Sequence, residues 1–300
     1  MSHALCEKWA ARKTGAILFL MSDSVLSLVP PPADARIAYG SEPSQFFDLR
    51  LPKDDLLKSG LTKNGRRFKS AYPLVISIHG GYWRAGYNLD HAGHLCAALS
   101  GHGVATANLE YRRVGNEGGG WPNTFADIRS AYNFLLQNAS QHSLDANRVL
   151  VMGHSAGGQL ALCLAGHEPG VTRVVSLAGV VDLQRACQLH LSNDAVVEFL
   201  RGTPGQVPDH YREADPMQLA IPQARQWLIH GSADDVVPPA FSRDYVTAKQ
   251  KRTGKKKEDV RLLEISAADH FDLIDPRTPA WKQVEHTVIS LLADPVTLST

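Results

Sequence analysis

Cysteine is scarce in this sequence: four in 300 residues, at Cys6, Cys96, Cys163 and Cys187, with no pair at a metal-clamping spacing. A disulfide framework or a zinc ribbon is thereby excluded as the basis of the fold, and nothing demands an oxidising compartment. Net charge is nearly absent as well, since 31 basic and 30 acidic side chains leave a formal +1. Such a chain has no long-range field to gather nucleic acid or an anionic membrane. No apolar run is long enough to cross a bilayer, and no internal repeat is visible. The basic run 249–257 lacks interleaved aromatics and reads as a solvated helix end and turn. The expected partner is a small, largely uncharged molecule, with no nucleic acid and no membrane, and nothing specifies an oligomeric state.

What is present is apolar substance, 44% of the residues, enough for a large single core. The first twenty residues place Lys8, Arg12 and Lys13 before a short apolar run at 16–20, a poor imitation of a secretory signal. Residues 1–29 are therefore expected to be an extension, with Met21 as a possible alternative start, and the protein to be cytoplasmic. Residues 30–300 are expected to form one domain.

Along that domain, strand and helix signals alternate. Residues 46–51 read as an early strand and 53–67 as a polar connection. The short apolar run at 74–78 reads as a strand buried on both faces, and 104–109, 148–152, 171–177, 226–230 and 261–265 read as further strands. Between them, helical spacing appears at Ala92, Leu95, Cys96 and Leu99, with Asp90 as its cap. It recurs at Phe125, Ile128, Tyr132 and Leu135, opened by a Thr124–Asp127 capping box, and then at 156–165, 239–250 and 281–292. Repeated strand–helix–strand units imply a mostly parallel central sheet flanked by helices. Residues 183–222 break the rhythm, with one short helical pattern at 196–200 and many Gly and Pro, and read as a cap-like insertion.

The sharpest motif is Gly153-His154-Ser155-Ala156-Gly157, set between the strand at 148–152 and an apolar helix. Glycines at both flanks permit a sharp turn that lifts a serine nucleophile to the sheet edge and to a helix N-terminus. A serine hydroxyl needs a positioned base, and His270 follows the last strand at that same edge. An acid should follow the preceding strand, where Asp234 and Asp235 compete. Asp234 fits the pattern HGxxDxxVP, while Asp235 suits capping of the next turn or helix. Asp269 and Asp272 lie too near His270 in sequence to face it by necessity. After the strand at 74–78, His79-Gly80-Gly81-Tyr82-Trp83 offers backbone donors. Gly81 and Tyr82, with Ala156, are the candidate oxyanion hole. His79 reads as a structural hydrogen-bonding residue and Trp83 as a substrate-binding wall. Tyr87 and Trp121 are aromatics that equally well anchor loops, and Gly118-Gly119-Gly120 suggests a loop without an assigned role. His91 and His94 lack a third ligand, so no metal is expected, nor an organic cofactor.

These motifs, with Glu110-Tyr111-Arg112 and Asp269-His270-Phe271, resemble bacterial α/β-hydrolases of the carboxylesterase and feruloyl-esterase-like type, related to arylformamidase (kynurenine formamidase). The resemblance runs from about residue 30 to the end and implies an α/β-hydrolase fold with a Ser155–Asp234–His270 triad. It implies a serine hydrolase acting on an ester of a small or aromatic substrate, or on an N-aryl formamide. A peptidase of the prolyl oligopeptidase type, a non-catalytic binder on the same fold and an interface-activated lipase remain rival readings.

Overall fold

Residues 72–78 can form a strand buried on both sides because its apolar side chains alternate between two separate cores. Leu74, Ile76 and Ile78 enter one, and Val75 the other. The computed structural model describes residues 23–53, 71–254 and 257–293. The leader and most of the 53–67 connection lie outside them.

Eight strands form one sheet: β1 (Ala35–Ala38), β2 (Phe46–Arg50), β3 (Tyr72–Ile78), β4 (Ala105–Leu109), β5 (Leu144–His154), β6 (Arg173–Leu177), β7 (Arg225–Gly231) and β8 (Asp259–Ile265). Their spatial order is β1-β2-β4-β3-β5-β6-β7-β8. β1 and β2 are antiparallel to their neighbours, and every later pairing is parallel. The register sets Ile78 beside Gly153 and His154 beside Leu177, so the ends of β3, β5 and β6 are level. Loops leaving these ends meet above the sheet, as expected where parallel strands share one carboxyl edge.

Helices α1 (Gly93–Ser100), α2 (Asn123–Gln137), α3 (Ala156–His167), α4 (Leu183–Gln188), α5 (Ala195–Leu200), α6 (Pro208–Ala214), α7 (Ala240–Gln250) and α8 (Pro279–Ala293) complete the described chain. Phe125, Leu160 and Phe241 bring α2, α3 and α7 into one core, while Leu95 and Trp281 bring α1 and α8 into the other. The insertion between β6 and β7 holds three short helices, α4 to α6, not the one that its sequence pattern suggested. They are short because left-handed residues and prolines punctuate them, and Leu183, Val196, Phe199 and Tyr211 anchor them to the first core.

Four local expectations are corrected. Asp90 does not cap α1; Asn88 caps a preceding 3-10 turn (Leu89–Ala92) by accepting from the Asp90 amide. Thr124 and Asp127 form no capping box: Thr124 Oγ1 donates to Arg112 O, and Asp127 is taken by Arg112 in a two-pronged ion pair at 2.6 and 2.9 Å. A guanidinium fork competes better for a carboxylate than a single cap bond does. Asp235 does not cap α7, which begins after Pro239 without a side-chain cap. Lys249 is not a solvated helix end, because its side chain is buried and Nζ donates to Leu219 O near Glu258. Burial draws its ammonium down to about 8, against the opposing pull of Glu258.

Candidate active site

Ser155 stands between β5 and α3 with φ 56° and ψ −120°, backbone that a side chain adopts only under strain on the order of 1 kcal/mol or more. Strand β6 and the first turn of α3 hold it there: its N–H donates to Leu177 O at 2.8 Å, and its C=O accepts from Gly158 N at 2.9 Å. The glycines are sterically required. A Cβ on Gly153 would lie 2.0 Å from Gly157 O, and one on Gly157 would lie 2.1 Å from Ile78 O. The elbow thus touches itself on one side and the end of β3 on the other.

Two loops that bond to each other carry Asp234 and His270. Ser232 N donates to Ile265 O and Ala233 N to Ala268 O, each at 2.9 Å. Gly231 makes room for this pairing, since a Cβ there would sit 2.2 Å from Ala268 O. The result is a 2.7 Å hydrogen bond from His270 Nδ1 to Asp234 Oδ2, both residues being buried. Of the two competing aspartates, Asp234 is the one that meets His270, whereas Asp235 is exposed. The other oxygen, Asp234 Oδ1, accepts from Val236 N at 2.9 Å and Val237 N at 2.8 Å. Burial pushes the Asp234 carboxyl up, but hydrogen bonds from His230 and His270 and their charge outweigh it and hold the group well below the usual range.

The segment from Gly81 to Trp83 runs left-handed, with φ of 110°, 51° and 57°. Such successive conformations turn backbone N–H groups towards a common concavity. Among the described residues, neither the Gly81 nor the Tyr82 N–H is taken by another protein group. Gly80 packs against Ser155 so closely that a Cβ on it would lie 2.9 Å from Ser155 Cβ. Ala156, the first residue of α3, adds the helix N-terminal amide. Tyr82 reaches across the site, its hydroxyl donating to Val236 O at 3.2 Å.

Trp83 is corrected: it is no open wall of a pocket. Only 1% exposed, its ring stacks on Phe199 of α5 at 4.7 Å and its Nε1 donates to Gln159 at 2.9 Å. An indole finding both an aromatic face and an acceptor inside the protein has no reason to remain at the surface. Trp121 likewise stacks on Phe125, while Tyr87 is partly exposed beside Gly81.

The sequence left several supporting residues without a role. Glu110, behind the loop after β3, lies 3.2 Å from His79 Nε2 and 3.0 Å from Arg113 Nη2, and accepts from the Leu89 and Tyr111 amides. Burial works to raise its carboxyl, but His79 and Arg113 prevail and keep it lowered. Tyr111 OH donates to His79 O at 2.7 Å. His79 is therefore a structural residue, as expected, and Glu110 and Tyr111 of the Glu110-Tyr111-Arg112 motif are its brace, while Arg112 pairs with Asp127. His230 Nε2 lies 3.1 Å from Asp234 Oδ2 and 2.9 Å from Val237 O. The signal for both was adjacency to strand ends, a weak one without three-dimensional partners. His91 is buried edge-on to His79 at 5.6 Å, and burial draws it down to about 3. Among the described residues, no group of three or more His, Cys, Asp or Glu side chains could hold a metal. None of their helices is long and apolar enough to cross a membrane.

Residues 64–248 match the BD-FAE family. The chain belongs to that family. It is similar to esterase LipC from Mycobacterium tuberculosis, 26% identical over 261 residues covering 80% of this chain and 60% of that protein. It is 30% identical to isoprenylcysteine alpha-carbonyl methylesterase ICME from Arabidopsis thaliana over 281 residues, 85% of this chain and 61% of that protein. The BD-FAE chain thus spans about six tenths of these relatives' length. Among solved structures, a truncated carbohydrate esterase from gut microbiota superposes with a TM-score of 0.70 at 20% identity, covering 89% of this chain and 98% of that one. Esterase B from Lactobacillus Rhamnosis superposes with a TM-score of 0.71 at 18% identity, covering 97% and 94%. At such identities the likeness speaks for the fold, and the fold is that of the α/β-hydrolases.

Proposed function

We propose that this protein is a serine hydrolase cleaving a carboxylic ester of a small or aromatic substrate through an acyl-enzyme. The observation that carries the reading is the 2.7 Å bond from His270 Nδ1 to Asp234 Oδ2, beside a strained Ser155 elbow. Asp234 fixes the His270 tautomer, which leaves Nε2 to act as the base. Ser155 Oγ attacks the ester carbonyl carbon while His270 Nε2 takes its proton. The oxyanion is met by the Ala156 amide and by Gly81 and Tyr82, each such donor being worth about 3 kcal/mol. His270 returns the proton to the departing alkoxide, and water, deprotonated by His270, then releases the acid and restores Ser155.

The names of its relatives favour an ester over a formamide, and Tyr82, closing over towards the acid loop, favours a small acyl group. The cytoplasm is its proposed location. The test is steady-state hydrolysis of p-nitrophenyl acetate, methyl ferulate and N-formylkynurenine by the native protein and Ser155→Ala. A Ser155-dependent kcat/KM highest for the esters supports the reading. Preference for the formamide would make the protein an arylformamidase.

A further inference from the structure

One ionisable side chain at the centre of the site has no part in the chemistry just described. His154, the residue before Ser155, ends β5 and is buried. Its ring packs on His270 with centroids 4.5 Å apart, and its Nε2 lies 2.9 Å from the His270 backbone oxygen. A carbonyl oxygen only accepts, so Nε2 carries the hydrogen and Nδ1 is the bare nitrogen. Nδ1 has no hydrogen-bond partner and stands 3.3 Å from where a side chain on Gly80 would begin. His154 therefore touches the loop after β3 and the loop after β8 while belonging to the strand end that carries the nucleophile.

Two features distinguish it from filling material. An apolar side chain would occupy the space without stranding a buried nitrogen, which is unfavourable. The ring is also held neutral, with burial first and then His270 and His91 lowering its pKa against the opposing pull of Asp234. A second cation against His270 would resist the imidazolium that the reaction forms.

We propose that His154 is a positioning residue, which hangs the His270 loop by its backbone carbonyl from the Ser155 strand end and so sets the base against the nucleophile and the oxyanion loop. This rests on the reading of Ser155 and His270 as nucleophile and base. Small displacements of such groups are expensive, about 100-fold for 1 Å.

The experiment compares His154→Gln, which keeps an N–H donor, with His154→Leu and the ring-retaining His154→Phe, which do not. With p-nitrophenyl acetate, Leu and Phe are expected to lower kcat about 10- to 100-fold with KM nearly unchanged, and Gln to recover most of it. The fluorophosphonate labelling rate should fall in step with kcat. Should Leu not fold, Phe, which preserves ring volume, carries the comparison. Native kcat in the folded Leu or Phe variant, or a folded Gln variant as impaired as they are, would overturn the proposal. Absence of Ser155-dependent turnover in the native protein would instead remove the reading on which it rests.

Discussion

At the residue scale, the two adjacent aspartates differ in what they touch. Asp234 holds His270 and accepts two loop amides, whereas Asp235 is exposed. Asp234→Asn is expected to lower kcat by about 10⁴ through the wrong tautomer, and Asp235→Asn by less than about tenfold, both read on p-nitrophenyl acetate. The depressed Asp234 carboxyl also has a stability consequence. It binds a proton less readily folded than unfolded, so it stabilises the folded state above the unfolded pKa of about 4. That contribution is lost as pH falls below this value through the folded pKa. Gly157 makes a sharper steric claim, since a Cβ there would lie 2.1 Å from Ile78 O and 2.6 Å from His79 O. Backbone cannot swing aside as a side-chain tip can. Gly157→Ala should therefore displace the end of β3 and the loop after it and abolish turnover, or prevent accumulation of folded protein, as followed by circular dichroism and the ester assay.

At the element scale, the insertion between β6 and β7 is tied to the loop after β3 through Trp83. That indole stacks on Phe199 of α5 and donates to Gln159, whose amide donates to Ala214 O of α6 at 2.8 Å. Phe199→Ala is expected to cost about 3–5 kcal/mol in urea unfolding, because a large fully buried ring is removed from two aromatic neighbours. Just beyond α6, Asp215 accepts from Met217 N at 3.0 Å. Burial, aided by the charge of Asp182 and opposed by backbone bonds such as that from Leu183, pushes its carboxyl up to about 6. A raised folded pKa means that folding favours the protonated form. Stability from this group therefore falls as pH rises from about 4 towards 6 and is level above that. Asp215→Asn, which cannot titrate, should show a flatter stability–pH slope between pH 4 and 6.5 than the native protein.

Legibility followed the same division. The inner strands β3 to β7, the half-exposed edge strand β8 and the helices α2, α3, α7 and α8 could be read because their apolar residues pack into two cores that cover the sheet on both faces. The exposed edge strand β1 carries no such pattern, for Ala35–Ala38 is mostly solvent-facing and is defined by its pairing with β2. Two of the three insertion helices, α4 and α6, escaped because at six and seven residues they are too short to show a helical period. In the site, Ser155 and His270 could be located from strand-end motifs, but Trp83, Glu110 and His230 have roles set by partners remote in sequence. Lys249 misled for the same reason, since its partners Leu219 and Glu258 belong to other segments.

At the scale of the whole molecule, the parallel sheet brings the loops after β3, β5, β7 and β8 to one edge, and the α/β-hydrolase fold follows from that order. Among the described residues there is no disulfide: Cys96 and Cys163 are buried thiols and Cys187 is a free, partly buried one. The melting temperature should accordingly be unchanged by reductant, as checked by differential scanning calorimetry with and without it. The central claim, that Ser155 is the nucleophile of an ester hydrolase, is tested most directly by fluorophosphonate labelling followed by peptide mass spectrometry beside residual p-nitrophenyl acetate turnover. The account predicts a single adduct on Ser155, with activity falling in proportion to its occupancy and absent in Ser155→Ala. Full ester turnover by Ser155→Ala, or complete inactivation with the adduct on another residue, would contradict it.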